Sequence, residues 1–346
     1  MRLGISTSIR RAVAVAGTAA LVSATGMTPA SADPPHNPGG PCIQDSQHVS
    51  RASVADYGDV VRRLNRIEHT SHGQVAVHSA GRSGEGRKLL YATVGSGPDV
   101  FWLQARIHGN ELHSTEAALQ VLKRLASGAP VAKLIREELT VLVIPMYNPD
   151  GAEANIRTST TPHRVDLNRD WELFRQPESR AWYRVWAEYE PMFALDLHHM
   201  GTAPVVEGTD DLNQFQIGAR PIAPERMTEL QWLTARRMSM VSVNALEKYG
   251  VANIARYPKI DITNAVLSRM LLGGPGPKGN DPGFQTQGAI FYEVRSVGQK
   301  SNGQLENMFR IPTMALLETI AQGDLAGTGI SGFDDIPFAD DTECGI

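Results

Sequence analysis

The chain has 346 residues, 42% of them hydrophobic and 20% charged, with 33 Lys and Arg against 37 Asp and Glu. This is the balance of an ordinary globular protein of one large or two modest domains, and it excludes a disordered chain or a collagen-like fibre. With a formal charge of −4 the chain lacks the excess of basic residues that phosphate binding needs, so no nucleic-acid partner is expected.

The first 32 residues read as a cleaved secretion signal: Arg2, Arg10 and Arg11 come first, an apolar run from Ala12 follows, and Ala30-Ser31-Ala32 closes it. Cleavage is expected after Ala32 and the protein is expected outside the cell, by the general or the twin-arginine route. The stretch Ala12 to Met27 is diluted by Gly, Thr and Ser and is shorter than a bilayer requires, so no stable membrane insertion is expected after cleavage. Loss of the segment removes three arginines and no acid, taking the formal charge from −4 to −7. Two cysteines occur in the whole chain, and in an oxidising compartment Cys42 and Cys344 are expected to pair as a disulfide.

Residues 33–52 are a Pro- and Gly-rich lead-in, and globular sequence begins near Ser53. Val54, Tyr57, Val61, Leu64 and Ile67 recur at helical spacing behind a Ser53 cap. Strands are expected at Gln74 to His78 and Lys88 to Val94, joined by the turn-rich Gly81-Arg82-Ser83-Gly84-Glu85-Gly86-Arg87, then at Val100 to Ala105. A helix over Ser114 to Leu125 and a strand over Thr140 to Pro145 follow. Further along come a helix at Glu178 to Tyr189, with Trp182 and Trp186 as core residues, a strand at Met192 to Leu197 and a long helix around Pro224 to Tyr249. A helix near Thr263 to Met270, the loop Gly273 to Gly288, a strand at Ala289 to Val294 and a helix at Pro312 to Ala321 complete the pattern. Apolar strands alternating with helices predict one α/β domain over residues 53–325, its sheet covered on both faces, followed by a tail over 326–346.

Polar residues gather where these strands end. His108-Gly109-Asn110-Glu111 follows one strand and His198 closes another, which brings imidazole, carboxylate and imidazole from two strand ends toward one point, where open α/β sheets bind ligands. That donor set suits zinc with one open position. A second His-x-x-Glu pair, His113 and Glu116, opens a helix, where a surface or helix-dipole role accounts for it. Glu293 sits in the otherwise apolar run Ile290 to Val294, where an unpaired carboxylate is costly and implies a task or an ion pair with Arg295.

Six motifs in order complete the picture: Gly81 to Arg87, His108-Gly109-Asn110-Glu111, Asn148-Pro149-Asp150-Gly151, Asp166-Leu167-Asn168-Arg169, Leu195-Asp196-Leu197-His198 and Phe291-Tyr292-Glu293-Val294-Arg295. In these motifs the chain resembles the M14-type zinc carboxypeptidases. The resemblance implies a single α/β domain with a mixed, mainly parallel eight-stranded sheet and one catalytic Zn2+ per chain. It implies His108, Glu111 and His198 as metal ligands, Glu293 as the general base, Arg157 as the group that stabilises the oxyanion, and Asn168 and Arg169 as the clamp on the substrate's terminal carboxylate. Asp166 is implied as the carboxylate that orients His108, and strand alternation prefers His198 over His199 as ligand. The family's loop for side-chain specificity corresponds to the region of Gly273 to Gly279, and Tyr257 is the nearest match to its mobile tyrosine.

The function expected is therefore a secreted zinc metallocarboxypeptidase acting on peptides with a free carboxylate. Two other readings share the scaffold: a zinc deacylase or cell-wall peptide amidase, and a binding module without catalysis. The last would be expected to have lost a ligand or Glu293, and none is lost.

Overall fold

A computed structural model of the chain describes residues 53–201, 204–209, 211–258, 261–277, 279, 281–295 and 301–340. The expected signal, the lead-in and the Cys42–Cys344 pairing lie outside the described residues.

The chain opens with α1 (Tyr57–Thr70), whose N-terminus is capped by the Asp56 carboxylate accepting from the Asp59 N–H, so the cap is Asp56 and not Ser53. β1 (Val75–Arg82), β2 (Lys88–Val94) and β3 (Asp99–Ala105) follow, then α2 (His113–Leu125), α3 (Pro130–Glu138) and β4 (Leu139–Ile144). The short α4 (Pro149–Ala154) and a 3-10 turn at Leu167–Arg169 lead to α5 (Pro177–Tyr189) and β5 (Phe193–Met200). β6 (Val205–Val206), β7 (Phe215–Gly218), α6 (Glu229–Tyr249), β8 (Ile254–Arg256), α7 (Val266–Leu272), β9 (Gly288–Arg295), α8 (Asn302–Ala321) and β10 (Ala339–Asp340) complete the order.

Eight strands form one sheet in the order β1-β2-β4-β3-β5-β9-β7-β8. Its pairings are mixed: β4 with β3, β3 with β5, β5 with β9 and β7 with β8 run parallel, the rest antiparallel. Consecutive residues are buried along the central strands, from Phe101 to Ala105 in β3 and from Ala194 to His198 in β5, which means that both faces of the sheet are covered. α8 packs against both α2 and α6, and α5 packs on β1. Trp102, Trp171, Trp182 and Trp186 are among the largest fully buried side chains.

Two sequence motifs are held together by their glycines. A Cβ on Gly109 would meet the Gly151 carbonyl carbon at 2.0 Å, and one on Gly151 would meet the Thr158 oxygen at 2.4 Å, so side chains are excluded at this contact. Arg106, in left-handed backbone at φ 57°, is buried beside it and donates to the carbonyls of Ala55 (2.9 Å) and Gly109 (3.0 Å). Asp150 draws in the Gly81–Arg87 turn by accepting from Ser83 Oγ at 2.7 Å, the Glu85 N–H at 2.8 Å and Arg87 Nη1 at 2.8 Å. Three of the six motifs thus form one braced corner at the carboxyl end of β3.

The helix expected from Pro312 begins instead at Asn302, with Pro312 inside it. The described residues of the loop, 273–277 and 279, lie beside α5, where Tyr183 Oη donates to the Gly274 carbonyl at 3.0 Å, and none of them lines the central pocket.

Candidate metal centre and pocket

His108, Glu111 and His198 meet, with one ligand atom from each lying within 4.8 Å of the others, and all three are buried. The turn after β3 supplies the first two and β5 the third. His108 Nδ1 is 2.6 Å from Glu111 Oε1, His198 Nδ1 is 3.0 Å from Glu111 Oε2, and the two Nδ1 atoms are 3.2 Å apart. The opposite ring nitrogens face other carboxylates: His108 Nε2 is 3.3 Å from Asp166 Oδ1, and His198 Nε2 is 2.8 Å from Asp196 Oδ2. Asp196 holds the His198 ring with its Nδ1 turned inward, the arrangement metal-ligating histidines use, and Asp166 stands at ion-pair range on the same side of His108. Two imidazoles and one carboxylate with a side open to a pocket are a donor set that fits zinc.

Electrostatics hold the group charged. Burial opposes ionisation of Glu111, yet His108 and His198 keep its carboxyl well below the usual carboxylate range. Burial likewise works against protonated imidazole, but Asp196 and Glu111 hold His198 well above its ordinary value, and Glu111 and Asp166 raise His108. A dication can replace the protons that this negative surround attracts.

Asp196 was not assigned a role by the sequence reading, although the Asp196-x-His198 alternation puts both on one face of β5. It is 1% exposed and also accepts from Gln104 Nε2 at 2.7 Å, while Trp102 Nε1 donates to Gln104 Oε1 at 2.7 Å. A buried polar chain from Trp102 therefore ends on a candidate ligand.

The other His-x-x-Glu pair goes elsewhere. Glu116 binds Arg63 at 2.5 Å, and His113 Nε2 lies 3.1 Å from Asn302 Oδ1. His199 accepts the His113 backbone N–H at 3.2 Å and rests on the Phe309 ring, with burial, then His113, pushing its imidazole down to about 3.

The triad opens into a cavity of roughly 230 Å³ that is also lined by Arg157, Asn168, Arg169 and Glu293. Arg157 is held by Asp166, with Nη2 3.0 Å from Oδ2, and its Nη1 is 3.8 Å from Glu111 Oε1. Asp166 also accepts the Asn168 N–H at 2.8 Å, which shapes the 3-10 turn. Asn168 Oδ1 accepts the Val266 N–H at 3.1 Å, so its amide nitrogen is the group left to donate toward a ligand, and Arg169 Nη1 donates to the Asn168 carbonyl at 2.6 Å. Glu293 is half-buried on β9, and burial, with a contribution from Glu111, pushes its carboxyl up to about 7 against the pull of His198. The far wall comprises Met200, Gln216, Tyr257, Ile262, Ala265 and Leu267 among others, residues whose convergence has no local signature.

The zinc carboxypeptidase family model, Peptidase_M14, matches residues 60–259, a stretch that holds every site residue named above as far as His198 while Glu293 lies beyond it. Carboxypeptidase 2 of Trichophyton rubrum is 32% identical over 149 residues, 40% of this chain and 27% of that protein. A zinc carboxypeptidase of Saccharothrix mutabilis subsp. capreolus is 27% identical over 135 residues, 36% of this chain and 30% of that one. The matched stretches thus span little more than a quarter of these relatives' own length. A metallo-carboxypeptidase structure from Burkholderia cenocepacia superposes with a TM-score of 0.60 at 18% identity, over 78% of this chain and 70% of that one, and shows the same fold.

The chain belongs to the zinc carboxypeptidase family, whose members are hydrolases of the metallopeptidase class.

Proposed function

We propose that this protein is a zinc carboxypeptidase that releases the terminal residue of peptides bearing a free α-carboxylate. The observation that carries the reading is the opening of His108, Glu111 and His198 onto one cavity that also holds Glu293, Arg157, Asn168 and Arg169. Zinc bound by the three ligands would supply Lewis acidity to the scissile carbonyl and lower the pKa of water.

The chain's own groups divide the remaining work. Glu293 accepts a proton from the attacking water and returns it to the leaving amine, a role open to a carboxylate that lines the cavity beside the three candidate ligands. Arg157, braced by Asp166, donates to the oxyanion that develops on the carbonyl. Arg169 and the Asn168 amide bind the terminal carboxylate, a task suited to a planar, permanently charged guanidinium.

Residues 1–32 are read as the export signal, and no helix among the described residues is long and apolar enough to cross a membrane. Sequencing the N-terminus of the exported protein tests cleavage after Ala32. Hydrolysis of peptides with free and with amidated C-termini tests the activity: cleavage of the free peptides alone supports the clamp, and equal cleavage of both overturns it.

A further inference from the structure

Two walls of the cavity lie where the chain leaves the sheet: Met200 at the end of β5 with Gly201 and Pro204 beyond it, and Tyr257 and Pro258 after β8. Residues 334–340 bind the chain just beyond the first segment, at 205–207, and just before the second, at Arg256. β10 pairs antiparallel with β6, Ala339 opposite Val206 and Asp340 opposite Val205, and the Glu207 N–H donates to the Phe338 carbonyl at 2.9 Å. A ladder of two residues is marginal by itself.

The stronger hold is on Arg256. Its backbone N–H donates to the Pro337 carbonyl at 2.7 Å, Nε to the Ile336 carbonyl at 2.7 Å and Nη2 to the Asp334 carbonyl at 3.0 Å, while Nη1 is 3.3 Å from Asp334 Oδ1. The guanidinium also lies 4.1 Å from the Phe338 ring centre and 5.4 Å from that of Phe333, within cation–π range. From Arg256 the contacts run into the site. The Tyr257 N–H donates to the Ile217 carbonyl at 3.0 Å, the Tyr257 ring meets Phe291 edge-on at 4.9 Å, and Phe291 meets the His198 ring at 6.1 Å.

We infer that residues 334–340 form a strap that positions the substrate-binding walls of the pocket, with Arg256 as the positioning residue through which it acts. The inference rests on the carboxypeptidase reading for its substrate. The candidate ligands do not depend on the strap, because β3 and β5 are interior strands and the turn after β3 is braced by Arg106, Gly109 and Gly151. Loosening the strap therefore affects the binding of substrate and spares the metal.

The test uses the full zinc-loaded chain with Arg256→Lys, which keeps the charge and the backbone bond but loses the guanidinium fork, and with Phe338→Ala, which removes the ring beneath it. KM for a peptide with a free C-terminus is expected to rise about tenfold with kcat within about threefold and zinc content unchanged. Amide hydrogen exchange, which needs no activity, is expected to quicken at 205–207 and at 256 and 257 while 101–105 stay protected. An unchanged KM, or loss of kcat, zinc and thermal stability together, overturns the positioning role. If the wild-type chain cleaves no peptide, the carboxypeptidase reading fails, and unchanged exchange at both walls would then overturn the strap separately.

Discussion

His198 of β5 and Glu293 of β9 are register partners on adjacent parallel strands, so a candidate ligand and the proposed general base project from the same face of the sheet, one strand spacing apart. Gln216 of β7 is in turn the partner of Glu293, which sets three pocket residues in one row across the sheet. The spacing between metal and base is thus a property of the rigid core rather than of a loop. Glu293→Gln keeps the side chain's shape and removes its basicity. Its kcat is expected to fall by roughly 10²- to 10⁴-fold with zinc content and KM retained, as read by steady-state kinetics and metal analysis on the same sample. A parallel loss of zinc would show that Glu293 acts structurally.

Asp196 holds His198 Nε2 at 2.8 Å from beneath. Asp196→Asn leaves an amide of the same size with less power to orient and polarise the ring. Zinc affinity is expected to fall about 10- to 100-fold in a competition titration with a chelator. Unaltered affinity would mean that packing alone orients His198.

Arg169 provides the charge of the proposed carboxylate clamp. Arg169→Met is expected to raise KM for peptides with a free C-terminus by about 10- to 100-fold, the worth of a charge-assisted hydrogen bond, and to narrow the discrimination against amidated peptides. Equal effects on both peptide types would place the clamp elsewhere.

Glu178 gives the fold a pH dependence of its own. It is buried, its Oε1 accepts the Gly84 N–H at 3.0 Å, and burial, the largest cause, pushes its carboxyl from the ordinary 4.5 up to about 7. A raised acid is a group whose folded form prefers its proton. The stability it contributes is present below the unfolded value near 4.5 and is lost as pH rises through about 7. Glu178→Gln removes that titration, so urea unfolding is expected to show the variant ahead of wild type by as much as ~3 kcal/mol at alkaline pH and nearly level with it under acid conditions. Parallel pH profiles for the two would contradict this.

Much of the architecture is legible because the central strands are apolar runs and the helices between them carry a clear stripe. The motifs of the turn corner are visible in the sequence, whereas their meeting at Gly109, where a Cβ would strike the Gly151 backbone, is seen only in the fold. The sequence conceals β6, β7, β8 and β10, because two to four residues carry no period of their own. α3 has no counterpart among the expected elements, and the start of α8 is missed because Pro312 is taken as a first turn although the helix runs through it. At the site, His108, Glu111 and His198 could be proposed because each closes a strand or its turn. Asp196 was visible only as alternation with His198. The wall residues Tyr257, Pro258, Ile262, Ala265 and Leu267, and their anchoring through Arg256 to residues 334–340, depend on contacts across long stretches of chain.

The proposed activity needs the three buried ligands and Glu293 to form a zinc site that acts on a free-carboxylate peptide. Zinc stoichiometry of the purified chain, measured together with hydrolysis of one peptide in its free and amidated forms before and after chelation, tests it most directly. The account predicts one zinc per chain, cleavage of the free form alone, loss of cleavage on chelation and recovery with zinc. Hydrolysis that survives complete removal of the metal would contradict it.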